Sequence, residues 1–154
     1  MQTSYVTAGL GFLTGILWLD LIFDVHLLRH AQADTPAHDD ALTLVSAYYR
    51  HATGGARPLD WLIALVMAAT LTAVIVQLVG DACPDWVSWT SLIAAGGPIA
   101  LAVTHTVPTA IRLGRTASGA RTERARLARS VLRDHVLALT GIVVALVLQL
   151  RYGR

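Results

Sequence analysis

Four long apolar runs separated by polar stretches set the pattern of this chain. They cover residues 6–28, 59–80, 86–113 and 131–152. Wound as an α-helix rising 1.5 Å per residue, each run is long enough to cross a hydrocarbon layer about 30 Å thick. The pattern predicts an all-α, polytopic membrane four-helix bundle, a single domain over 1–154, with longer connections at 29–58 and 114–130. Composition strengthens that reading. The chain is 55% hydrophobic and 14% charged, with a mean hydropathy of +0.56, against about 25% charged residues in ordinary soluble domains. A soluble chain of this size cannot bury so much apolar surface in one core. The first run is read as a retained span. No basic residue precedes it, two acids interrupt it, and no small-residue cleavage signal follows.

Charge gives the runs a direction. All twelve basic residues are Arg. Arg29, Arg50 and Arg57 lie in the first connection; Arg112, Arg115, Arg121, Arg124, Arg126, Arg129 and Arg133 lie in or beside the third. The second connection, around Cys83 and Pro84, has none. The positive-inside rule then places the first and third connections in the cytoplasm and both termini outside. Tyr5, Trp86, Trp89 and Tyr152 fall at the outer interface and Tyr48, Tyr49 and Trp61 at the inner one, depths that amphipathic rings favour. The Arg residues read as a topology signal and solvated face that also suits anionic lipid. They are dispersed, with no nucleic-acid-binding motif around them. As the lone cysteine, Cys83 excludes an intrachain disulfide.

Local signals refine the elements. Asp39 and Asp40 are placed to cap a short helix over 41–50, with Leu42, Val45 and Tyr49 on one apolar face that covers the cytoplasmic end or lies along the membrane. Thr53-Gly54-Gly55 ends it, and Pro58 with Asp60 suits the first turn of the second span. Pro98 and Pro108 predict bends in the third span. Ser118 or Thr122 is placed to cap an Arg-rich helix that runs through 124–129 into the fourth span as a cytoplasmic extension. In the first span Gly11 and Gly15 form a G-x-x-x-G pair, read as packing within the bundle, with contact between two copies as the other use.

The chemistry concentrates on one side. With the first and third spans running inward, Asp20, Asp24, His105 and Arg112 occupy their cytoplasmic halves, and Arg133, Asp134 and His135 begin the fourth span at the same level. The outer halves carry Gln77 and Gln149 as their sizeable polar groups. An ionisable group in hydrocarbon costs about 2.5–3.5 kcal/mol, so such residues face the protein interior and mark function or locked packing. Asp20 and Asp24 share one helical stripe, as do His135, Leu139, Ile142, Leu146 and Gln149. Convergence of these stripes predicts an Asp/His/Arg pocket. Asp20 or Asp24 then serves as proton acceptor or ligand anchor, His105 and His135 as acid/base or hydrogen-bond partners, and Arg112 as the holder of an anionic group. Trp18 lies deeper than the other aromatics, is expected to pack between helices, and joins Arg112 on the substrate side. His105 has a second reading, a bond to a backbone carbonyl freed by Pro108. His26 and His30, spaced i, i+4, read as interfacial, and no strong ligand motif assigns a metal or cofactor.

The run Thr104-His105-Thr106-Val107-Pro108-Thr109-Ala110-Ile111-Arg112-Leu113, followed by Arg129-Ser130-Val131-Leu132-Arg133-Asp134-His135, resembles the anthrone oxygenase-like family of small four-span membrane proteins. That family's third span tends to end in Asn-x-Pro-x-Asn. Pro108 is kept here, while Thr106 and Ala110 stand in place of Asn. The resemblance implies an oxygenase-like oxidoreductase acting on polycyclic aromatic compounds. The expectation is therefore a multi-pass protein of the bacterial plasma membrane that binds or oxidises a small lipophilic molecule, with membrane lipids as neighbours and a homo-oligomer as a possible assembly. A proton-coupled transporter and a scaffold or accessory subunit are the rival readings.

Overall fold

The computed structural model describes residues 2–30, 43–44, 46–51, 58–80, 84–116 and 121–153. Those residues are all-α, with no strand among them. Helix α1 is Gln2–His30, α2 is Pro58–Val79, α3 is Asp85–Leu101, α4 is Val107–Arg115 and α5 is Arg121–Tyr152. A π-helical turn, Ala102–Thr106, joins α3 to α4, and residues 43–44 and 46–51 add a short helical segment between α1 and α2. Four stretches are long and apolar enough to cross a membrane: Thr3–Val25, Asp60–Val79, Asp85–Arg115 and Thr122–Tyr152. The Asp39/Asp40 cap, the Thr53-Gly54-Gly55 stop, Cys83 and Ser118 lie outside the described residues, as do the side chains of His26 and His30.

Helix boundaries follow local chemistry. Pro58 opens α2 with Asp60 in its first turn, where a missing N–H costs nothing and a carboxylate meets the positive end of the helix. The Pro84 carbonyl accepts from the N–H groups of Val87 and Ser88 at the start of α3. Pro98 is accommodated inside α3. Ahead of Pro108, the Val107 N–H reaches back five residues to the Ala102 carbonyl. Just ahead of Pro108 the third span thus carries an inserted residue, a device found often at functional positions.

The chain divides into two compact units. The first comprises Met1–Trp18, Ala56–Ala100 and Leu137–Arg154. Its core is Val6, Leu10 and Leu13 of α1, Val74 of α2, Ala95 of α3, and Ile142 and Ala145 of α5. Small residues set the helix spacing: a Cβ on Gly9 would overlap the Thr70 hydroxyl of α2, and one on Gly141 would come 2.8 Å from Pro98 Cγ of α3. Among the described residues, a Cβ on Gly11 or Gly15 would meet nothing within 4 Å. The G-x-x-x-G pair therefore does not pack this unit as expected, because its phase on α1 turns it outward while Gly9 takes the inward position. The first unit also buries an uncharged chain of hydrogen bonds across three helices. Gln77 Nε2 donates to Gln149 Oε1 at 3.1 Å, and Gln149 Nε2 donates to Ser91 Oγ at 3.0 Å. Trp86 and Tyr152 meet edge to face at 5.0 Å.

The second unit comprises Leu19–Gly55 and Leu101–Val136. Its apolar core joins Tyr49 of the short segment to Ala110 and Leu113 of α4 and to Leu127, Ala128 and Val131 of α5. The segment seats tightly on α4: a Cβ on Gly114 would fall 2.8 Å from the Arg50 backbone nitrogen, and Arg50 Nε donates to the Gly114 carbonyl at 2.9 Å. Tyr49 does take the apolar face predicted for it, as a core residue of this unit.

Candidate functional site

Each polar side chain of the second unit is positioned by an element already described. Asp20 and Asp24 stand one turn apart near the end of α1, and Tyr48 and Tyr49 are consecutive on the short segment. Each phenol reaches one carboxylate. Tyr49 donates to Asp24 Oδ1 at 2.7 Å, and Tyr48 approaches Asp20 Oδ1 at 3.4 Å. The two rings meet edge to face, and Phe23 stacks on Tyr48 at 5.7 Å. The other oxygen of Asp24, Oδ2, lies 2.7 Å from Nδ1 of His135 on α5. Asp24 is only 5% exposed and His135 is largely buried. Asp20 is partly exposed and lies within electrostatic range of both Asp24 and His135.

A second Asp–His pair sits beside the first. Nδ1 of His105, on the π-helical turn, is 2.6 Å from Oδ2 of Asp134, which also accepts from the Thr106 hydroxyl at 3.1 Å. Asp134 is fully buried, whereas the His105 side chain is 46% exposed. The neighbouring Arg133 guanidinium comes within 3.7 Å of Asp134 Oδ1. In both pairs a carboxylate fixes the imidazole through Nδ1, so that Nε2 can accept or deliver a proton. A base oriented by a third group is the arrangement that general acid–base catalysis uses. At Tyr49 burial acts first and the Asp24 carboxylate second, and both push the phenol pKa far upward. Tyr49 is therefore a neutral donor to Asp24.

Three of the expected residues, Asp24, His135 and His105, enter the two Asp–His pairs, and Asp20 lies one turn from the first. His135 meets Asp24 as convergence of the two stripes predicts. His105 meets Asp134 and neither acid of α1, which also replaces its reading as a partner of a freed carbonyl. Arg112 stays apart: its exposed guanidinium lies 3.8 Å from Glu123 and touches none of the Asp–His residues given above. Trp18 belongs to the first unit and is 59% exposed, so it does not pack between helices as expected; the adjacent Leu17 packs against that unit's core instead.

Sequence reasoning missed Asp134, Thr106, Tyr48 and Tyr49 as site members. Asp134 had a signal, an acid adjoining His135 within a span. The tyrosines read as interfacial rings, and only the seating of the short segment on Gly114 brings them to the acids. Among the described residues, no three His, Cys, Asp or Glu side chains are grouped to hold a metal ion. The chain matches no protein-family model, no curated protein and no solved structure.

Proposed function

We propose that this protein, whose four apolar helices suit integral insertion in a membrane, binds a small lipophilic molecule and takes a proton from it at His135, as an oxygenase-like oxidoreductase. One observation carries the reading: Asp24, nearly sealed from solvent, is held by both His135 and Tyr49 at 2.7 Å. Such an Asp holds the imidazole in one tautomer and stabilises the imidazolium formed when Nε2 takes a proton. Asp20, one turn away and more open, anchors a hydroxyl of the ligand. The stacked Phe23 and Tyr48 beside it form an aromatic surface suited to a flat ring. The His105–Asp134 pair supplies a second oriented imidazole.

The resemblance to the anthrone oxygenase-like family supports the substrate class. An anthrone is a tricyclic aryl ketone whose central-ring methylene is acidic, because its deprotonation gives an aromatic phenolate. Once His135 removes that proton, the electron pair left on carbon reduces molecular oxygen and forms a carbon–oxygen bond; the proton returns to give a hydroperoxide, which loses water to leave a quinone carbonyl. The cytoplasmic placement expected from the arginines would open the site to substrate made inside the cell.

Anthrone supplied to the protein in liposomes tests this, with oxygen uptake and the absorbance of the oxidised product as readouts. Turnover is expected in the wild type. Asp24→Asn is expected to lower it by about 10²–10⁴-fold, the usual contribution of an oriented acid–base group. Wild-type protein that consumes no oxygen yet carries protons in a manner abolished by Asp20→Asn would favour the transporter. Protein inert in both assays would favour the scaffold. Mass spectrometry and a visible spectrum of the purified protein would identify any co-purifying molecule.

A further inference from the structure

We propose that the exposed face of α5 docks the headgroup of an anionic phospholipid, a role independent of the chemistry assigned to Asp24 and His135. Arg126, Arg129 and Arg133 fall at i, i+3 and i+7, and all three are exposed in the second unit. They form one stripe of guanidinium groups on the outward side of a continuous helix. The next exposed position in this unit, Val136, is apolar. The face therefore changes from cationic to apolar within one turn, as a phospholipid does between headgroup and acyl chain.

Charge complementarity selects the anionic headgroup. Glu123 is the acid on the stripe, and it is shared: Arg126 grips it with two bonds of 3.1 Å, and Arg112 lies 3.8 Å away. Asp134, near Arg133, is fully buried and bound to His105 and Thr106. Arg129 stands between them on the exposed face. The stripe keeps a positive surplus, and guanidinium forks suit the paired oxygens of a phosphate. The Arg residues occupy the first turns of a helix that is long and apolar enough to cross a membrane, so the phosphate they would meet is that of a bilayer lipid.

Native mass spectrometry of the full chain, released from vesicles of phosphatidylcholine and phosphatidylglycerol in equal parts, tests the proposal. Wild-type protein is expected to retain phosphatidylglycerol in preference to phosphatidylcholine. At about 1 kcal/mol per Arg near a membrane surface, Arg129→Gln with Arg133→Gln is expected to reduce that preference roughly 25-fold. Arg129→Lys with Arg133→Lys is expected to keep most of it, which separates charge from a folding defect. Arg151→Gln, at the other end of α5, is expected to leave it intact. An undiminished preference in the double Gln variant would overturn the proposal, and is what a stripe reserved for an acidic soluble protein would give. An equal loss in Arg151→Gln would overturn it as well, since the effect would then be one of net charge.

Discussion

Two tyrosines meeting two aspartates give the second unit a test at single-residue resolution. Tyr49 has its folded pKa raised above its unfolded value of about 10 by burial and by Asp24. The folded chain therefore keeps this proton at a pH where the unfolded chain loses it. The resulting stabilisation is complete below about pH 10 and falls as pH rises beyond it, by at most about 1.4 kcal/mol per pH unit. Wild-type protein is expected to lose thermal stability between pH 9 and 11 more steeply than Tyr49→Phe, and equal slopes in melting curves would contradict the assignment. At neutral pH Tyr49→Phe leaves Asp24 short of a donor and is expected to cost about 1–3 kcal/mol in denaturant titration. The acids themselves were plain in the sequence, since a carboxylate in an apolar run needs a partner. Their phenolic partners were not plain, because that contact depends on where the short helical segment seats.

Among elements, the glycines separate packing from exposure. Gly9 has no room for a side chain against Thr70, while Gly11 and Gly15, two and six positions later, face open space among the described residues. Gly9→Val is expected to destabilise the protein by about 1–3 kcal/mol through overpacking, and Gly11→Val to change monomer stability by less than about 0.5 kcal/mol. Equilibrium unfolding in mixed detergent measures both. The G-x-x-x-G motif pointed to the correct helix and the wrong face. Which glycine turns inward depends on the rotation of α1 about its axis, which the spacing of a G-x-x-x-G pair does not carry by itself. The inward stripe of α5 was legible because polar residues punctuate it: Ile142 and Gln149 are both buried, with His135 on the same side. The Gln77–Gln149–Ser91 chain was visible only as isolated polar residues, since sequence spacing along one helix does not say which neighbour it touches.

For the whole molecule, hydropathy reveals the architecture and charge suggests its orientation. The four predicted runs coincide closely with the four membrane-length helices, because length and apolarity are properties of each segment alone. With ten Arg in or beside the first and third connections and two at the end of the chain, a reporter active only in the cytoplasm is expected to work when inserted after Gly119. It is expected to fail when inserted after Ala82 or fused after Arg154. The reverse pattern would turn the chain over and place the Asp–His pairs on the outer side.

The π-helical turn makes the third span a matter of counting. Residues on the two sides of Ala102–Thr106 are out of step with a regular helix by one position, about 100° of rotation. His105 and Thr106 both meet Asp134 from this wide turn, and Leu113, further on, still reaches the core. Removing any single residue between 102 and 106 would restore an unbroken spiral and swing either the imidazole or the whole of α4 to a different azimuth. The length of this segment is thus as restricted as its chemistry, and homologous chains that keep the His–Asp link should tolerate substitutions there far more readily than deletions.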